Sequence, residues 1–139
     1  MADSSPIVHL LIVEDDANDV LVLKRAFDRL GVACQISFAI SGQEAVELLS
    51  SRSTSAETGP THVLLDLKLP KMPGLEVLRW IRQQPGLERL PVVVFSSSNL
   101  DADVQAARKL GVDSFRVKPL SFAESSRMVE EIARAWGLL

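Results

Sequence analysis

The strongest constraint in this chain is an order of segments: short apolar runs rich in β-branched residues alternate five times with segments whose apolar residues recur every three or four positions. Residues 7–13, 34–39, 62–66, 91–95 and 112–117 read as strands, and a helical segment follows each. Strands that alternate with helices pair in parallel, and right-handed crossovers then cover the sheet on both faces. The expected fold class is α/β, a five-stranded, doubly wound parallel sheet.

Local signals place the helix ends. Asp16 has the chemistry of an N-cap, Asp19 completes an acidic first turn, and Val20, Leu23, Phe27 and Leu30 share a helical face that Gly31 ends. Ser41 caps a second helix whose inward residues are Ala45, Leu48 and Leu49. The small, polar stretch 50–61, SSRSTSAETGPT, reads as a solvated loop or a frayed helix end. LPKMPG at 69–74 is a turn-rich loop before a helix carrying Leu75, Leu78 and Ile81. A weak helix covers 101–110, and Ser121 opens a closing helix with Phe122, Ser125, Val129, Ile132 and Trp136 on one face.

A length of 139 residues with 47% hydrophobic content suits one compact domain, read as 7–139 after a loose leader at 1–6. A formal charge of -3 with scattered lysines and arginines gives no footprint for nucleic acid. The single cysteine, Cys34, excludes an internal disulfide framework and reads as a small hydrophobe. The leader has no signal-peptide character, and no apolar run approaches membrane-spanning length, so a cytoplasmic protein without a membrane partner is expected.

Four of the five strands end in polar residues suited to a phosphoryl group: Glu14 and Asp15, Asp66, Ser96, and Lys118. The carboxyl ends of parallel strands share one edge, where doubly wound folds bind their ligands. Three acids can hold a divalent cation, a hydroxyl can meet a phosphoryl oxygen, and a lysine can neutralise developing charge. Singly, each residue has a plainer explanation: Asp15 or Asp16 as a helix cap, Ser96 and Ser97 as strand terminators, Lys118 as a solvated lysine. Their coincidence at four strand ends is what points to one site. His9 and His62 have no partner at ligand spacing and read as structural, while Trp80 and Trp136 read as helix packing.

VEDD at 13–16, LLDLKLPKMPG at 64–74, VVFSSS at 93–98 and FRVKP at 115–119 together resemble a response-regulator receiver domain over nearly the whole chain. The resemblance implies the flavodoxin-like (CheY-like) strand order 2-1-3-4-5 and a phosphoryl group accepted on Asp66 from a sensor histidine kinase. It further implies Mg²⁺ bound by Asp15, Asp66 and the backbone carbonyl of Lys68, with Glu14 acting through a water. Ser96, Lys118 and the backbone amide of Ser97 would hold the phosphoryl oxygens. Lys118–Pro119 matches the family's cis peptide, and Phe115 stands where the family keeps a switch aromatic, here without a tyrosine hydroxyl. Such a protein catalyses only its own phosphorylation and dephosphorylation. It would signal by contact, with a homodimer expected through the fourth helix, last strand and fifth helix. Within the family, the loop at 69–74, the segment RLPVVVFSSS and the lack of an output domain look most like the small regulators of phytochrome-type kinases.

Two other functions share parts of this pattern. A phosphatase of the haloacid dehalogenase type also sets a nucleophilic aspartate beside Mg²⁺, but it needs an acid where Lys68 stands. A pseudo-receiver that only binds a partner conflicts with the complete set Glu14, Asp15, Asp66, Ser96 and Lys118. No glycine-rich nucleotide loop follows any strand.

Overall fold

The computed structural model describes residues 8–54, 59–97 and 100–139, the side chains of 51–54 excepted. Strands and helices alternate as β1 (His9–Val13), α1 (Ala17–Leu30), β2 (Gln35–Ala39), α2 (Gly42–Thr54), β3 (His62–Asp66), α3 (Gly74–Gln83), β4 (Val92–Ser96), α4 (Asp101–Lys109), β5 (Ser114–Val117) and α5 (Phe122–Ala135). All neighbouring strands are parallel, in the order β2-β1-β3-β4-β5. The expected order is therefore the observed one.

Because successive side chains of a strand point to opposite faces, each central strand feeds two cores. Leu11 and Val13, Val63 and Leu65, and Val92 and Val94 pack towards α2, α3 and α4 with Ala45, Leu49, Leu78 and Ile81. Leu10, Ile12, Leu64, Val93 and Phe95 face α1 and α5 with Leu23, Phe27, Val129 and Ile132. Burial on both faces explains why these strands read as unbroken apolar runs.

Asp16 caps α1 through Oδ1, which accepts the N–H groups of Asn18 (2.8 Å) and Asp19 (3.1 Å). Gly31 ends the helix at φ 66°, a left-handed conformation that glycine adopts freely. Ser41 Oγ accepts Glu44 N–H at 3.1 Å.

Several expected boundaries shift. α2 continues through Thr54, so the start of the polar stretch is helical, and 55–58 lie outside the described residues, as do the leader and Ile7. β2 opens at Gln35 because the Cys34 N–H turns back to Val32 O. β5 opens at Ser114, two residues later than expected, and β4 runs one residue further, to Ser96. None of the described helices is long and apolar enough to cross a membrane.

At the amino end of the sheet, the Arg82 guanidinium donates to the carbonyls of Leu90 (2.8 Å), Leu110 (2.6 Å) and Gly111 (3.0 Å). It thereby ties α3 to the end of α4 and to the turn before β4. Trp136 joins α5 to the same end, its ring tilted at 55° against that of His62 and its indole N–H donating to Asp113.

At the carboxyl end, the loop after β3 folds tightly against its own strand. Gly74 N–H donates to Leu67 O, and a β-carbon on Gly74 would stand 2.2 Å from Asp66 O and 2.6 Å from Leu67 Cα. Both are backbone atoms with no room to yield. Gly74→Ala is therefore expected to destabilise the fold by about 1–3 kcal/mol, measured as a lowered urea midpoint, because the loop must lift away from Asp66.

Candidate functional site

Glu14 leaves β1 with its N–H donating to Ala39 O on the neighbouring strand, which fixes where its side chain starts. That side chain is fully buried. Its Oε2 accepts the backbone N–H groups of Asp15 (3.0 Å) and Asp16 (3.3 Å), and its Oε1 lies 2.5 Å from Lys118 Nζ. Asp66, the last residue of β3, is also buried; Oδ1 accepts Lys68 N–H at 3.1 Å and Oδ2 accepts from Lys118 Nζ at 3.0 Å.

Lys118 follows β5, and its backbone N–H donates to Ser96 O at 2.8 Å. Its ammonium meets a third carboxylate, Asp19 Oδ2, at 3.0 Å, and sits 5.2 Å from the centre of the Phe95 ring. Ser96 is fully buried at the end of β4, where Phe95 pairs with Asp66 and Ser96 with Val117.

A cleft of about 620 Å³ is lined by Glu14, Asp15, Asp19, Asp66, Lys68, Ser97 and Lys118, among others, while Ser96 lies buried and does not line it. One oxygen from each of Glu14, Asp15 and Asp66 lies within 4.8 Å of the others. Hard oxygen donors grouped this closely suit a divalent cation of the Mg²⁺ or Mn²⁺ kind. Burial pushes the Glu14 carboxyl up to about 8, against the pull of Lys118 and with the Asp66 charge adding to the rise. Burial works the other way on Lys118, yet its bonds to Glu14, Asp19 and Asp66 outweigh it and hold the ammonium above the ordinary lysine range.

The structure gathers most of the residues expected from sequence, with three departures. The Lys118–Pro119 bond is trans, like every peptide bond among the described residues. Trans is the favoured isomer even before proline, by roughly 0.5–1 kcal/mol, and the lysine reaches all three carboxylates with it. Phe115 does not line the cleft. It pairs with Val94, packs half-buried against the core beneath α2, α3 and α4, and with Pro119 borders a separate groove beside α5. The local sequence marks Asp19 only as a first-turn helix acid; its place beside Lys118 depends on β5 returning to the start of α1, which no local pattern encodes.

The family model for the response regulator receiver domain matches residues 10–130. The chain belongs to the response-regulator receiver family. Among similar proteins, the probable methanogenesis regulatory protein FilR2 of Methanothrix harundinacea is 39% identical over 127 residues, covering 91% of this receiver and 82% of that protein. Response regulator Rcp1 of Synechocystis is 31% identical over 135 residues, 96% of this receiver and 92% of Rcp1. The crystal structure of Mn²⁺-bound Rcp1 matches with a TM-score of 0.83 at 31% identity, over 93% of this chain and 94% of that one. The phosphorylated cyanobacterial phytochrome response regulator RcpA matches at 0.84 and 30% identity, over 94% of both chains.

The buried Glu14 is expected to make this receiver's stability fall with rising pH. Its folded pKa of about 8 lies above the reference value of 4.5, so between the two the folded form keeps a proton that the unfolded chain releases. That contribution is complete below about pH 4.5 and is lost as pH rises through 8, with a slope of up to about 1.4 kcal/mol per pH unit. Urea unfolding of the metal-free protein between pH 5 and 9 measures it, and Glu14→Gln is expected to flatten the profile.

Proposed function

We propose that Asp66 is the phosphoacceptor of a two-component signalling protein that reads out by protein contact. The observation that carries this reading is a carboxylate at a strand end, at the mouth of an open cleft, with an acid pair on one side and the Lys118 ammonium 3.0 Å away. An Asp66 oxygen attacks phosphorus in a phosphohistidine of a kinase; the new P–O bond forms as the P–N bond breaks, and its electron pair stays on the imidazole. Lys118 turns a donor from Asp66 to a phosphoryl oxygen, while the Ser96 hydroxyl and the Ser97 N–H take others.

Asp15, Asp66 and the Lys68 carbonyl would hold Mg²⁺, with Glu14 acting on it through a water. When bound, the ion neutralises phosphoryl oxygen charge. The acid required by a haloacid-dehalogenase-type phosphatase is absent at position 68, and the full set of groups disfavours a pseudo-receiver.

Similarity to the cyanobacterial phytochrome response regulator RcpA supports a phytochrome-type histidine kinase as the phosphoryl donor. Val117 and Leu120 expose apolar surface at a groove of about 430 Å³ that also carries Arg116, Arg127 and Glu131, which supports the β5 and α5 part of a homodimer face across α4, β5 and α5.

Acetyl phosphate with Mg²⁺ is expected to add one phosphoryl group, seen by intact mass, in the parent and none in Asp66→Asn. Asp15→Ala, which removes a cation ligand from an exposed position, should stay folded and lose the modification; labelling at the parent's rate would disprove the ligand assignment. Sedimentation is expected to show a dimer whose population changes on phosphorylation and falls with Leu120→Asp. A monomer in both states at high concentration would exclude the dimer.

A further inference from the structure

An ammonium has three N–H donors, and three carboxylates surround that of Lys118. Glu14 Oε1 is 2.5 Å away, with Asp66 Oδ2 and Asp19 Oδ2 each at 3.0 Å. Glu14 and Asp66 belong to the trio that can converge on a cation; Asp19 does not. Lys118 and a divalent cation therefore draw on the same two carboxylates, and each lowers the affinity of the other's seat.

The ammonium has little room to retreat. Phe95 lies on one side, and the cavity behind it, bounded by Asp19, Leu23, Phe95, Pro119 and Met128, measures about 20 Å³, space for about one water. Asp19 is the partner that remains when Glu14 and Asp66 turn elsewhere. It stands in the first turn of α1, where the helix dipole favours a carboxylate.

We propose that Asp19 is a positioning residue for Lys118. It holds the ammonium at the wall of the cleft, so that Glu14 and Asp66 are released to a cation and the freed lysine donors face an incoming phosphoryl group. The last step rests on Asp66 being the phosphoacceptor; the competition between Lys118 and a cation rests on the geometry of the four side chains.

A double-mutant cycle on the full chain tests this, with Mg²⁺ affinity from calorimetric titration as the readout. Asp19→Ala is expected to weaken Mg²⁺ binding about fivefold, because Lys118 then leans wholly on Glu14 and Asp66, but by less than about twofold in a Lys118→Met background. Asp19→Asn, whose side-chain carbonyl still accepts from Lys118, should weaken binding less than Asp19→Ala does. Equal weakening in both backgrounds would mean that Asp19 acts on the ion by charge alone, and no weakening in either would mean that it does not act at all; each overturns the proposal. Should Lys118→Met not fold, equal weakening by Asn and Ala overturns it as well. None of these titrations requires phosphorylation. A parent that takes no phosphoryl group from acetyl phosphate would refute the phosphoacceptor reading, whereas an additive cycle refutes this one.

Discussion

The Glu14 carboxyl group is fully buried at the end of β1, and Lys118 brings an ammonium to it from beyond β5, at the far edge of the sheet. Around this pair the cleft is organised. Leaving the Lys118 ammonium without a charged partner costs about 3–5 kcal/mol, so it and Asp66 hold one another in place, while burial keeps a proton on Glu14 until the pH nears 8. Asp66 shares the same ammonium, and its other oxygen is fixed by the Lys68 N–H. The cleft is thus a balance of opposite charges, poised to exchange one cation for another.

That balance depends on how the sheet presents its ends. β1 and β3 lie side by side inside the sheet, covered on both faces, so their last residues emerge where packing permits little displacement. Gly74 allows the following loop to press on the backbone of Asp66 and Leu67. Arg82 closes the opposite end with backbone carbonyls. The groove beside β5 and α5 is more exposed, and Lys118 and Pro119 border it as well, which joins the cleft to that surface through consecutive residues.

Much of this was legible in the sequence because burial on both faces produces apolar runs that end where the chain meets the cleft. Glu14, Asp15, Asp66 and Ser96 stand at such ends, Lys118 follows the half-buried edge strand β5, and the Asp16 and Ser41 caps follow from side-chain oxygens before helical periodicity. The first residues of β2 and β5 were less legible, since Cys34 and Val112 are apolar enough for a strand but precede its pairing. The expected cis bond at Pro119 came from resemblance, and the lysine reaches its partners without it. Asp19 and Lys118 are joined by topology alone.

Parallel pairing has a consequence for how the chain assembles. His9 pairs with Gln35, and Val63 with Val92, so adjacent strands meet only after an intervening helix-length loop has closed. No hairpin is available as a local starting point, and loop entropy must be met before any strand contact repays it, which slows folding relative to a helical bundle. The ammonium that meets Glu14 and Asp66 comes from beyond the edge strand β5, so completion of the charge balance coincides with closure of the whole sheet.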